Sequence, residues 1–162
     1  MIKVFLVFVC VFLPIKGVAM SMFSENEQEV ILFSPIEGVI TYEGRPAVGA
    51  KIVRWIKWKD EEGTKDSVLL GADGRFHFSV KEAVIKLSPV SKFVVNQRLT
   101  VFFEDEEYVI WAMGNGKTTL YGELGGEPMG LKCELTDKRV RVEVEDGLLM
   151  TSCVWDEVKI RE

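Results

Sequence analysis

Histidine is almost absent from this chain: His77 is the only one in 162 residues. That scarcity excludes most imidazole chemistry. A zinc centre needs three or four Cys, His or carboxylate ligands, and a hydrolytic triad needs a base beside its nucleophile. Cysteine is nearly as rare, with three in all, and neither Cys133 nor Cys153 has the surroundings of a reactive thiolate. No Gly-x-Ser-x-Gly elbow occurs. Basic clusters are missing as well, and the net charge is −5. Nucleic-acid binding needs a basic stripe, so that class is excluded, and an anionic membrane surface is disfavoured for the same reason. After the N-terminal segment no stretch holds a 3.6-residue apolar period over three turns, so amphipathic helices are not expected.

What is present begins with a targeting signature. Lys3 is followed by an unbroken apolar run over residues 4–13, then by Pro14, Gly17 and Ala19. Charge, apolar run and small residues in that order predict a secretory signal over residues 1–19, cut after Ala19, with Ser21 as the alternative. The run is about half the length a membrane span requires, so no membrane insertion is expected after cleavage. Cys10 sits in mid-run behind Val9, which does not suit lipidation. Cleavage would remove Lys3 and Lys16 and no acid, taking the charge from −5 to −7. The expected location is the periplasm or the medium.

Export gives Cys133 and Cys153 a reading as an even pair in an oxidising compartment. Bonded, they close a loop of about twenty residues worth about 3 kcal/mol. The alternative is two buried free thiols. Residues 20–29 read as a flexible leader and 30–162 as one domain, a size that buries a core without metals.

From Val30 onward the chain is dense in β-branched and aromatic runs separated by Gly, Pro, Asn and Asp. Phe76, Phe78 and Val80 alternate with Arg75, His77 and Ser79, the mark of a half-buried strand that leaves His77 on the wet face. Val140, Val142 and Val144 alternate in the same way. Asp73-Gly74 predicts a hairpin between flanking apolar runs. Residues 99–103 are expected to pair with 108–111 across the acidic connector Glu104-Asp105-Glu106-Glu107, read as a solvated tip because it lacks the spacing of a calcium loop. Residues 81–87 fit a helical turn or a strand. The expected fold is an all-β antiparallel sandwich of about 7–9 strands.

Two stretches carry a resemblance: Gly38-Val39-Ile40-Thr41-Tyr42-Glu43-Gly44-Arg45-Pro46-Ala47-Val48-Gly49-Ala50-Lys51-Ile52 and Asp73-Gly74-Arg75-Phe76-His77-Phe78. Together they resemble the start of the transthyretin-like, or carboxypeptidase regulatory-like, domain, which implies a prealbumin-like sandwich. The enzymatic branch of that fold, hydroxyisourate hydrolase, has several histidines and a C-terminal Tyr-Arg-Gly-Ser. This chain has one histidine and ends Lys159-Ile160-Arg161-Glu162, so the resemblance implies no such activity. Over the whole mature chain, Leu32-Phe33-Ser34-Pro35, Tyr108-Val109-Ile110-Trp111, Leu131-Lys132-Cys133-Glu134-Leu135 and Ser152-Cys153-Val154-Trp155 are similar to an uncharacterised family of small exported bacterial proteins. That likeness implies a periplasmic protein and carries over no functional residue.

No catalytic residue, metal ligand or cofactor site is assigned. Gly114-Asn115-Gly116-Lys117-Thr118-Thr119 lacks the first glycine of a phosphate loop, where Trp111 stands instead. The candidate binding residues are Trp55, Lys57 and Trp58, an aromatic and cationic group of the composition favoured at protein interfaces, and Tyr121 in the long glycine-rich loop over residues 114–128. The bland reading of the tryptophans is one in the core and one covered by neighbours. The expected function is an exported, non-enzymatic, protein-binding sandwich. A narrower form is an immunity protein whose acidic loops cover a toxin's basic site, and a rival is a carbohydrate-binding module using Trp55 or Trp58.

Overall fold

Alternation between buried and exposed side chains runs through almost every element of this chain. The computed structural model describes residues 26–59, 62–88, 92–145 and 147–156. Within them every regular element is a strand: β1 Asn26–Phe33, β2 Ile36–Tyr42, β3 Arg45–Pro46, β4 Lys51–Lys57, β5 Thr64–Leu69, β6 Arg75–Phe78, β7 Lys81–Leu87, β8 Val95–Phe103, β9 Glu106–Asn115, β10 Lys132–Glu134, β11 Val140–Val144, β12 Gly147–Thr151 and β13 Cys153–Val154. The expected signal segment lies outside the described residues.

The strands form an all-β sandwich. One layer is a six-stranded antiparallel sheet in the order β11-β12-β9-β8-β4-β5. The other runs β13-β10-β2-β3, with β6 also on β2, and its β10–β2 pair is parallel. A β1–β7 ribbon accompanies them. The core is filled from both layers: Ile52, Ile56, Leu99 and Val101 from the large sheet, Ile36, Ile40, Phe76 and Phe78 from the smaller, and Val30, Phe33 and Ile85 from the ribbon. Burying a residue of this kind contributes about 1.5–3 kcal/mol.

The strand count exceeds the expected 7–9 because of short or unrecognised elements. β3 and β13 are two residues each, and β12 is an apolar pentapeptide without a flanking turn signal on its C-terminal side. Residues 81–87 are a strand, settled by seven-residue pairing with β1. That partner also shortens the expected leader, since residues 26–29 belong to β1. The Asp73-Gly74 hairpin does not form. β5 pairs with β4, whereas β6 pairs with β2, so the turn carries the chain from one sheet to the other. Gly74 has φ +65°, and a Cβ there would stand 2.6 Å from the Ile40 carbonyl oxygen, so contact with β2 determines the path.

Two hairpins are tight. Glu43 and Gly44 (φ 49° and 75°) join β2 to β3, and Glu104 and Asp105 (φ 50° and 63°) join β8 to β9. Positive φ at both central residues matches the twist of the flanking strands. In β9 the register shifts next to Leu99, which faces Trp111 while Thr100 faces Val109. Ile110 is the extra residue of this bulge, and both it and Trp111 are buried.

Three polar devices hold the layers. Arg54, 1% exposed, enters the core from β4. Its Nε and Nη2 donate to Asp66 on β5 at 3.0 and 2.6 Å, and its Nη1 donates to the Ser79 carbonyl at 2.6 Å. The guanidinium lies over Phe33 and Phe78, at 5.2 and 4.7 Å from the ring centres. The hydrogen bonds from Arg54 hold the Asp66 carboxyl below its ordinary range. Cys133 and Cys153 stand opposite each other on β10 and β13 and are disulfide-bonded. Glu134 accepts hydrogen bonds from the amides of Glu43, Gly44 and Thr136 and from the Thr136 hydroxyl, tying the β2–β3 turn to the end of β10.

Each device predicts a measurable loss. Asp66→Asn should cost about 3 kcal/mol in urea unfolding, because it strands a buried guanidinium. Arg54→Met should cost less, since the carboxylate left behind is 36% exposed and can be hydrated. The double Cys133→Ala/Cys153→Ala variant should lose about 3 kcal/mol through the entropy of the opened loop. Burial pushes the Glu134 carboxyl up, but the hydrogen bonds from Thr136, Gly44 and Thr41 outweigh it and lower the value from 4.5 to about 2. Protonation therefore favours the unfolded chain: the contribution is complete above about pH 4.5 and is lost as pH falls toward 2. Glu134→Gln should destabilise the protein by about 1–2 kcal/mol at neutral pH and flatten the acid limb of its stability curve between those values.

Candidate functional site

The alternation that sends Ile52, Arg54 and Ile56 inward sends Lys51, Val53, Trp55 and Lys57 to the opposite face of β4. Register extends that face sideways. Lys51, Val53 and Trp55 lie opposite Leu69, Ser67 and Lys65 on β5, while Lys51, Val53, Trp55 and Lys57 lie opposite Phe102, Thr100, Arg98 and Asn96 on β8. The face continues through Val109 and Ala112 on β9 and Met150 on β12. It carries large apolar groups toward solvent, with Leu69 72% and Phe102 43% exposed. Val53, Trp55, Val109 and Met150 are half-buried and stand outside the core cluster.

Trp55 is fixed at the middle of this face. Its Nε1 donates to the Glu62 carbonyl at 2.8 Å. Gly63, at φ +73°, lets the backbone approach the indole so closely that a Cβ would meet Trp55 Nε1 at 2.7 Å. The Arg98 guanidinium stacks over the indole at 5.5 Å. Trp55 and Lys57 thus share a face, whereas Trp58 does not join them. It follows the end of β4 and packs against Phe93, ring centres 6.3 Å apart, with Lys59 above it at 4.6 Å.

Tyr121 belongs to the other side of the large sheet. Its amide donates to Ser34 Oγ at 2.7 Å. Ser34 Oγ and its amide donate to Glu123 at 2.7 and 2.9 Å, and Gln97 Nε2 donates to the same carboxylate at 2.9 Å. Gln97 points inward from β8 and Arg98 outward, so Tyr121 and Trp55 are separated by the sheet itself. Burial and the Glu127 carboxylate push the Tyr121 phenol up. The Ser34–Glu123–Gln97 network clamps the long loop to the β1–β2 corner, a structural duty the sequence did not reveal. Its one visible sign was Ser34-Pro35 interrupting two apolar runs.

His77 lies on the exposed face of β6, its Nδ1 3.7 Å from Glu37. A shallow groove of about 160 Å³ between β2 and the segment after Glu127 is lined by Glu37, Arg75, Glu127, Met129 and Lys132. Among the described residues no group of three or more His, Cys, Asp or Glu is arranged to hold a metal ion.

Residues 36–138 match a family described as Domain of unknown function (DUF6795). The chain belongs to this family. No curated protein and no solved structure matches it. The DUF6795 match runs from β2 through β10 and so contains the Trp55 half of the open face, Cys133 and the Arg54–Asp66 pair. β11, β12 and β13, with Cys153, lie beyond it and complete both sheets.

If the face is free to bind, its side chains contribute little to folding. Trp55→Ala should therefore lower stability by no more than about 1 kcal/mol, against about 3–5 for Trp111→Ala in the core, as read by urea unfolding.

Proposed function

We propose that this DUF6795 protein is an exported binding module of the transthyretin-like type that receives another protein on the outer face of its six-stranded sheet. One observation carries the reading: aromatic and aliphatic side chains stand on that face, outside the core, interleaved with cations around a tryptophan held in place by its neighbours. Preorganised Trp and Arg at the centre of a patch are the groups that dominate binding energy at protein interfaces. Large apolar side chains exposed together with polar ones on one sheet face are what an interaction site presents.

Export and fold type have separate support. The charged, apolar and small-residue order of residues 1–19 is that of a secretory signal, and the Cys133–Cys153 disulfide is compatible with an oxidising compartment. The Gly-x-Pro and Asp-Gly-x-Phe stretches that resemble the transthyretin-like domain form the β2–β3 turn and the entry to β6. Binding is preferred to catalysis because the one histidine of the sequence lies on the exposed face of β6, away from any nucleophile the sequence marks.

The protein reading stands ahead of the carbohydrate reading because Arg98 and Gly63 both crowd the indole that a sugar ring would need for stacking. An immunity role is a narrower form of the same reading. It draws on the acidic β8–β9 tip, where Glu104, Asp105, Glu106 and Glu107 are all exposed.

The test uses immobilised full-length mature protein and extracts of the cells that make it. Wild type and an Arg75→Ala control on the other sheet should retain the same partner protein, while Trp55→Ala/Phe102→Ala should lose it by at least tenfold. Equal retention by the double variant would remove the face from consideration, and glycan binding lost on Trp55→Ala would favour the sugar reading instead.

A further inference from the structure

We infer that the Trp55 half of this face is built for an acidic partner: a short extended protein segment in which carboxylates flank apolar side chains. The inference rests on the proposed binding role and adds the chemistry of the partner.

The chain is acidic overall, at −5, yet the outward charges on β4, β5 and β8 are all positive. They are Lys51 and Lys57 on β4, Lys65 on β5 and Arg98 on β8, and register brings them together around Trp55. Among the described residues none of the four forms an ion pair. What sets this group apart is its single sign, since no acid stands among the outward residues of these three strands. Arg98 is also oriented. Stacking on Trp55 leaves its planar fork of donors available to donate to a carboxylate in two-point fashion, the geometry that makes arginine the preferred carboxylate partner.

The size of the patch limits what it can take. Lys51 and Lys57 are separated by six residues of strand, about 20 Å at 3.3 Å per residue, and Lys65, Trp55 and Arg98 span three adjacent strands, about 10 Å. Acids close both ends: Glu107 stands opposite Phe102 at the β8–β9 tip, and Glu62 lies exposed in the β4–β5 turn. A long polyanion such as nucleic acid, or an anionic membrane, would meet those carboxylates as soon as it extended past the patch. A segment of about six extended residues feels chiefly charges within the ~8 Å screening length. Leu69, Val53, Trp55 and Phe102 interleave with the cations, so the matching segment alternates acidic and apolar groups.

Labelled probes titrated onto the full mature protein at low salt test this: a peptide alternating Glu with Leu and Phe, its Lys counterpart, a 20-nucleotide single-stranded DNA and vesicles of anionic phospholipid. The acidic peptide should bind most tightly. Raising salt from 20 to 200 mM should weaken it at least tenfold, and Arg98→Glu/Lys65→Glu should do the same, while Lys132→Glu on the other sheet changes nothing. Trp55→Ala/Phe102→Ala should also abolish it. No binding by the acidic peptide, or binding indifferent to the charge reversals, overturns the inference. So does tighter binding of DNA or vesicles. Should the Lys peptide bind instead, and be lost in Trp55→Ala/Phe102→Ala, the face would still be a protein-binding surface and only its assigned partner chemistry would fall.

Discussion

The Arg54–Asp66 contact determines more of this molecule than any other single interaction. A guanidinium with almost no solvent access needs its donors satisfied, and Asp66 and the Ser79 carbonyl supply the acceptors. A one-residue slip of β4 against β5 would point Arg54 outward and bury Trp55 and Lys57. The buried pair therefore pins the register of the large sheet, and with it the identity of both faces. It also reaches the second layer, because Phe78 on β6 and Phe33 on β1 close over the same guanidinium. Whether such a pair adds net stability over an apolar substitute is a separate matter. Its clearest consequence is specificity of pairing.

The outer face of the large sheet follows from that register. Its apolar groups are not a failure of burial but the remainder left when the alternate residues have filled the core. The bulge at Ile110 adds to this arrangement. By spending one extra residue on β9, the sheet buries Ile110 and Trp111 together and still returns Val109 and Ala112 to the open side. The same geometry divides labour between loops. The glycine-rich segment around Tyr121 is held inward by Ser34, Glu123 and Gln97, and serves the core. The β4–β5 turn is shaped to hold an indole at the surface.

Much of this was legible beforehand. Arg75 to Phe78 and Val140 to Val144 alternate openly, and their faces are those expected. The pairing of β8 with β9 across the acidic tip was visible because apolar runs of matched length flank it. Trp55 and Lys57 sharing a face follows from a period of two. What escaped notice has a physical reason in each case. β1 opens with polar residues and becomes a strand by pairing with β7. Asp73-Gly74 has hairpin chemistry, but the better partner for β6 is β2, across the sandwich. Lys65 and Arg98 are unremarkable in their own segments and join Trp55 through register alone.

The amino-acid order by itself determined the all-β character and the alternation of each strand, because these depend on neighbours a few residues away. Tertiary structure decided which strands meet, that Cys133 faces Cys153, that Tyr121 and Trp55 lie on opposite sides of one sheet, and that Lys51, Lys57, Lys65 and Arg98 share one face around Trp55. Those placements depend on contacts between residues far apart in the chain, and such contacts leave no periodic trace along it.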